Sequence, residues 1–269
     1  MPIKYFSTAW AEIKSSPSWM AKVLLLGLIC FIPVFGPIVL YGYLFGWSRE
    51  LAWRVDAPLP ARIFDNSDGK LYRRGFFALV IVVVFNIIPL AYSCAYSVSS
   101  DSGSSMALIG LILSIAMVLI GLAATAFGWV GGMRMALYNK LSAGFQVSKI
   151  WKMIRRDTNG IMRILGMYVL TMAIVVAAYT VVFTVICMLV VIPIAVGMGM
   201  GSSAFAGFAL LGMFMVCGVL SLAALYVLVC LSVFVDMLVA NAIGHWVAQF
   251  DVALWKGQDD PMPFEVPMM

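Results

Sequence analysis

Three long apolar stretches, at residues 23–48, 75–133 and 164–255, contain no Lys or Arg. The basic residues gather in the segments before them, Lys4 to Lys22, Arg49 to Arg74 and Arg134 to Arg163, with Lys256 alone in the tail. Apolar runs separated by basic loops mark a chain that crosses a membrane several times. A hydrocarbon core of about 30 Å takes roughly 20 helical residues. The stretch at 75–133 therefore divides into two helices around the polar run Val98-Ser-Ser-Asp-Ser-Gly-Ser-Ser105. The stretch at 164–255 divides at Gly197-Met-Gly-Met-Gly-Ser-Ser203, which predicts helices over about 161–196 and 205–246. Neither connection carries a basic residue, so both belong on the side opposite the basic clusters, and the C-terminus falls on the cytoplasmic side with the clusters.

The first stretch breaks this scheme. Its 26 residues suffice for one span, but one span would place the N-terminal bases outside. Pro33, Gly36 and Pro37 interrupt it midway, where two missing backbone donors and a flexible glycine break a helix. A short re-entrant hairpin resolves the conflict and puts the N-terminus inside, and it is favoured over a kinked single span.

A threefold repeat runs through the same segments. Ile13 to Lys22, Phe64 to Arg73 and Ile154 to Arg163 each place an apolar anchor nine residues before a base, with a polar turn between them. Upstream, Phe6, Ala9, Trp10 and Ile13 match Val147, Ile150, Trp151 and Ile154, all on one helix face. In the third copy Lys149, Lys152, Arg155 and Arg156 take the opposite face, which predicts a basic amphipathic helix lying in the headgroup layer. Each copy then has an Ile-Pro pair, at Pro33, Pro89 and Pro193, where its first membrane helix is expected to end or kink. The fold class is thus all-α. It is an integral membrane bundle of three units, about 1–46, 47–132 and 133–250, in one domain with a flexible cytoplasmic tail over 251–269.

The run Gly27-Leu-Ile-Cys-Phe-Ile-Pro-Val-Phe-Gly-Pro-Ile-Val-Leu-Tyr-Gly-Tyr43, followed by Leu59-Pro60 and the acidic turn Asp65 to Asp68 before Gly75, resembles the prokaryotic multi-pass family known as domain of unknown function 4013. The resemblance is specific over residues 19–90 and weaker to about 250. It implies a polytopic helical protein of the cytoplasmic membrane, and it implies no reaction or catalytic residue.

Composition agrees with a membrane setting: 64% of residues are hydrophobic and 11% charged, against about a quarter charged in soluble domains. The net charge of +5 sits beside the spans, so it points to anionic lipid headgroups and away from nucleic acid. Five scattered cysteines lack metal or disulfide spacing, and nineteen methionines lie mostly in apolar helices as core filling. No catalytic constellation appears, so neither enzyme activity nor a cofactor or metal site is expected. Lys22, Arg73 and Arg163 open the three outward helices and are candidates for lipid phosphate recognition, or snorkel without specificity. Lys149, Lys152, Arg155 and Arg156 are the other headgroup candidates.

Candidate intramembrane polar residues are Asn86, Asp236, Asn241 and the single histidine, His245. Asn241 and His245 share a helix face and Asp236 lies off it, so Asp236 either joins a proton or ion relay or pairs with a cluster arginine. Asn86 is expected to bond between helices or to pack. The functional expectation is a non-enzymatic protein that organises lipid or a partner, including a second copy of itself. The alternative is a transporter for a hydrophobic or lipidic substrate, suggested by broken helices and internal repetition.

Overall fold

A computed structural model describes residues 4–54, 58–66, 68–98, 107–199, 203–252 and 255. The elements in order are α1 (Tyr5–Ser15), α2 (Trp19–Ile29), α3 (Phe35–Ala52), α4 (Leu71–Val98), α5 (Ala107–Tyr138), α6 (Leu141–Gly144), α7 (Val147–Arg156), α8 (Thr158–Gly199) and α9 (Ser203–Ala248). No strand occurs among the described residues. Four helices, α4, α5, α8 and α9, are long and apolar enough to cross a membrane, which makes this a multi-pass membrane protein. The polar connection expected at Val98–Ser105 lies outside the described residues from Ser99 on, as do the tail beyond Trp255 and the part of the glycine-rich connection at 200–202.

The first apolar stretch forms two helices. α2 ends at Ile29 and α3 begins at Phe35, with Pro33 in the turn between them. The turn is tight. Val34 has φ of 65°, a strained conformation for a β-branched residue, and a Cβ on Gly36 would lie 2.6 Å from the Cys30 Cα. The two arms return to one level: Lys22 in α2 donates to the Leu59 carbonyl at 3.1 Å, and Tyr43 in α3 donates to the neighbouring Pro60 carbonyl at 3.2 Å. The hairpin resolves the choice left open by the sequence, since a kinked single span would carry these residues apart.

Pro89 and Pro193 do not break their helices. α4 runs on through Pro89 and α8 through Pro193. One proline removes a single backbone donor, the one that would reach the Phe85 carbonyl, and a long apolar helix tolerates that loss. Gly36 and Pro37 likewise fall in the first turn of α3, where a missing donor is harmless, so the break itself is the turn at Cys30–Val34.

α3 packs on α4 and α9, α4 on α5, α8 on α9, and both α1 and α2 on α9. Contact between α3 and α4 is backbone against backbone: a Cβ on Gly75 would enter the Ile38 carbonyl, and one on Gly42 would meet the Leu71 backbone. A Cβ on Gly132 would enter the Phe45 ring, whereas Gly121 faces open space, so of these two only Gly132 permits a close approach. α8 and α9 have 42 and 46 residues, about 63 and 69 Å of helix, well beyond a hydrocarbon core of about 30 Å. The surplus of α9 lies at its C-terminal end. Every residue from Met237 to Val247 except His245 is buried, while most of Met215–Ser232 is not. The core is therefore a basal layer in which α1, α3, α7 and the ends of α5, α8 and α9 enclose Trp47, Met133, Ile150 and Trp246.

The middle copy of the expected repeat departs from the other two. Ile13 and Ile154 are buried at 1% and 7% exposure, but Phe64 is 47% exposed and its neighbour Ile63 is buried in its place. The described residues between Trp53 and Leu71 hold no helix, so this copy has no counterpart of α1 and α7. Instead the acidic turn closes onto α4, with the Asp68 carboxylate accepting from the Lys70 N–H at 2.9 Å and from buried Arg74 at 2.6 Å.

Candidate functional site

The polar groups of the base converge on the last turns of α9. Asn241 and His245 lie one turn apart on one face, as their spacing predicts, and both reach Glu12 of α1. Asn241 Nδ2 donates to Glu12 Oε2 at 2.6 Å, and His245 Nε2 lies 2.9 Å from Oε1 and 3.0 Å from Oε2. Burial opposes ionisation of Glu12, but the His245 and Asn241 hydrogen bonds and the His245 charge outweigh it and hold the carboxyl below the usual range. The buried Asn241 Oδ1 has no partner among the described residues.

A second carboxylate holds the other flank. Asp157 accepts from Trp246 Nε1 at 3.0 Å, from Gln249 Nε2 at 2.8 Å and from the Gly160 N–H at 3.0 Å. It thereby caps α8 and ties that helix start to the end of α9. Desolvation again opposes the charge, and these three donors with the Arg163 charge overcome it, so this carboxyl is also held low.

Asp236 stands apart from both. It is half-buried, no hydrogen bond or ion pair joins it to any described residue, and Cys30, Tyr41 and Tyr168 lie within its electrostatic reach. The expected arginine partner is not there, because α9 turns Asp236 toward α3 and α8 and away from the basic loops. Asn86 bonds the Val82 carbonyl of its own helix at 2.9 Å, so it bridges no helices.

The three bases that the expected repeat aligns have different surroundings. Lys22 is buried, with its ammonium on the Leu59 carbonyl. Arg73 donates to the Asn139 carbonyl at 2.8 Å, and Arg163 is exposed near Asp157 and Tyr5. On α7, Lys149, Lys152, Arg155 and Arg156 are all exposed while Ile150, Met153 and Ile154 are buried. Exposed Val147 and Trp151 sit beside those bases, as exposed Phe6 and Trp10 do on α1.

Two apolar grooves run up α9 from this base. One of about 460 Å³ lies between α1, α2 and α9, with Trp10, Trp19, Leu24, Tyr226 and Phe234 in its walls. Another of about 390 Å³ lies between α8 and α9 and shares Val227 and Leu231 with the first.

Residues 25–191 match the family model described as protein of unknown function, DUF4013. The chain belongs to that family. The matched region takes in the end of α2, the turn and α3 and runs into α8, and leaves Glu12, Asn241 and His245 outside it. No curated protein and no solved structure matches the chain.

Glu12 and Asp157 were not legible as site residues in the sequence. Glu12 is the only acid before Glu50, among three lysines, which is a weak signal; Asp157 lies in the polar turn of the third repeat copy.

Proposed function

We propose that this protein is a lipid-engaging organiser of a prokaryotic cytoplasmic membrane, with no chemical step of its own. The observation that carries the reading is the pair of short helices α1 and α7. Each buries two apolar positions against the bundle, Ala9 and Ile13 or Ile150 and Ile154, and exposes an aromatic-bearing pair one turn apart, Phe6 and Trp10 or Val147 and Trp151. An exposed Trp beside bases suits the headgroup layer, with the ring at the boundary and the charge toward phosphate. The groove that starts at Trp10 and Trp19, with the α8–α9 groove that shares its Val227 and Leu231 wall, suits acyl chains. In this orientation the basal layer and both termini face the cytoplasm.

A threefold repeat fits the same plan. α1 packs on α9 and α7 on α5, while α3 meets α4, α5 meets α8 and α9 meets α2, a cyclic order of units. Trp10 meets Phe234 at 5.4 Å as Trp151 meets Phe127 at 6.3 Å. Glu12 meets Asn241 as Met153 meets Arg134, and the same offset relates both partners on α9 to those on α5.

Spin-labelled lipid in liposomes tests the reading. A motionally restricted population that prefers anionic phosphatidylglycerol over phosphatidylcholine is expected, and equal restriction of both lipids refutes it.

A second reading, a permease for a hydrophobic substrate, is favoured by the unpartnered Asp236 beside the re-entrant hairpin. Lipid scrambling or solute flux that is lost in Asp236→Asn, with the fold intact, would establish it in place of the first.

A further inference from the structure

The groove at the start of α2 differs from the two apolar ones. About 460 Å³ in volume, it is lined by Ser18, Lys22, Leu25, Arg62, Ile63 and Phe64, so two cations face one opening above an apolar floor. Lys22 is 7% exposed and uses its ammonium on one recorded acceptor, the Leu59 carbonyl, which leaves donor capacity toward the groove. Among the described residues neither Lys22 nor Arg62 meets a carboxylate. A buried ammonium without a counter-charge is unfavourable, and an anion in the groove would relieve it. The Ser18 hydroxyl makes no capping bond to α2, so it too is available to such an anion.

Below the charges the surface turns apolar in one direction. Lys22, Leu25 and Leu28 follow each other along α2 at helical spacing, with Leu25 and Leu28 exposed at 45% and 59%, and exposed Phe64 stands beside them. From Lys22 to Leu28 the helix advances about 9 Å toward the hairpin tip, away from the basal layer. A charged head with an apolar row running inward is the complement of a phospholipid.

We propose that this groove binds one anionic phospholipid, its phosphate between Lys22 and Arg62 and an acyl chain along Leu25 and Leu28. The assignment rests on the lipid-engaging reading above and gives that reading a defined site.

Native mass spectrometry of the full chain with phosphatidylglycerol or phosphatidylcholine tests it, alongside Arg62→Gln, Lys22→Met and, as a charge control, Lys149→Gln/Lys152→Gln. The wild type is expected to retain phosphatidylglycerol over phosphatidylcholine. Arg62→Gln and Lys22→Met should each weaken that affinity by about tenfold, and the α7 control should keep it. The exposed Arg62 side chain makes no hydrogen bond or ion pair among the described residues, so its variant stays informative even where Lys22→Met unfolds. Unchanged phosphatidylglycerol affinity in Arg62→Gln overturns the site while leaving the general reading intact. A wild type with no lipid preference overturns both. Inorganic phosphate is the last probe: if it displaces phosphatidylglycerol at millimolar concentration and stabilises the protein alone, the groove takes a free phosphate and the lipid assignment falls.

Discussion

Removing the Glu12 side chain tests how α1 is held to the bundle. α1 has 11 residues, too short to be helical by itself, so its order depends on docking through Tyr5, Ala9, Ile13 and Glu12. In Glu12→Ala the Asn241 amide, fully buried with its oxygen already orphaned, loses its only acceptor. Orphaning a buried donor costs about 1–3 kcal/mol. The His245 contact adds less, about 0–1 kcal/mol, because the two side chains are 22% and 34% exposed and solvent screens them. A total of about 1–4 kcal/mol converts to a roughly 5- to 700-fold loss of hydrogen-exchange protection across α1. Glu12→Gln keeps an oxygen for Asn241 and should lose about 1 kcal/mol. Exchange measured by mass spectrometry on the protein in nanodiscs resolves these steps. Wild-type protection of α1 in Glu12→Ala would refute the latch.

Gly75→Ala drives a methyl into the Ile38 carbonyl and should destabilise the α3–α4 contact by about 1–3 kcal/mol in detergent unfolding, whereas Gly121→Ala, in open space, should cost nothing. Trp246→Phe keeps the ring beside Phe250 but removes a donor to Asp157, for a loss of about 1 kcal/mol in the same assay. The Glu12 and Asp157 carboxyls are both held below their ordinary values in the fold, so each stabilises it above the usual carboxylate range and ceases to as pH falls through its lowered value. Thermal stability should therefore be insensitive to these two groups near neutral pH and drop in acid, and Glu12→Gln/Asp157→Asn should flatten that drop.

The membrane helices were legible because apolar length and basic clustering are local properties of the chain. The α2–α3 hairpin followed from charge placement together with Pro33, and the shared face of Asn241 and His245 followed from helical periodicity. What escaped was tertiary. Glu12 meets its partners across most of the chain, and no local pattern on α1 announces them. The helix ends expected at Pro89 and Pro193 do not occur, since a long apolar helix tolerates one missing donor. The anchor at Phe64 failed because the middle segment has a loop where the outer copies have α1 and α7, so burial passes to Ile63.

The central claim is that the chain turns back at the α2–α3 hairpin, which puts α1 on the same side of the membrane as the start of α8. A membrane-impermeant maleimide applied to sealed vesicles tests it, with single cysteines at Ser7, Asn159 and Ser99 in a background lacking the native five. Ser7 and Asn159 are both exposed, one on α1 and the other at the start of α8. Ser7→Cys and Asn159→Cys are expected to label from one side and Ser99→Cys from the other. Labelling of Ser7→Cys together with Ser99→Cys would contradict it.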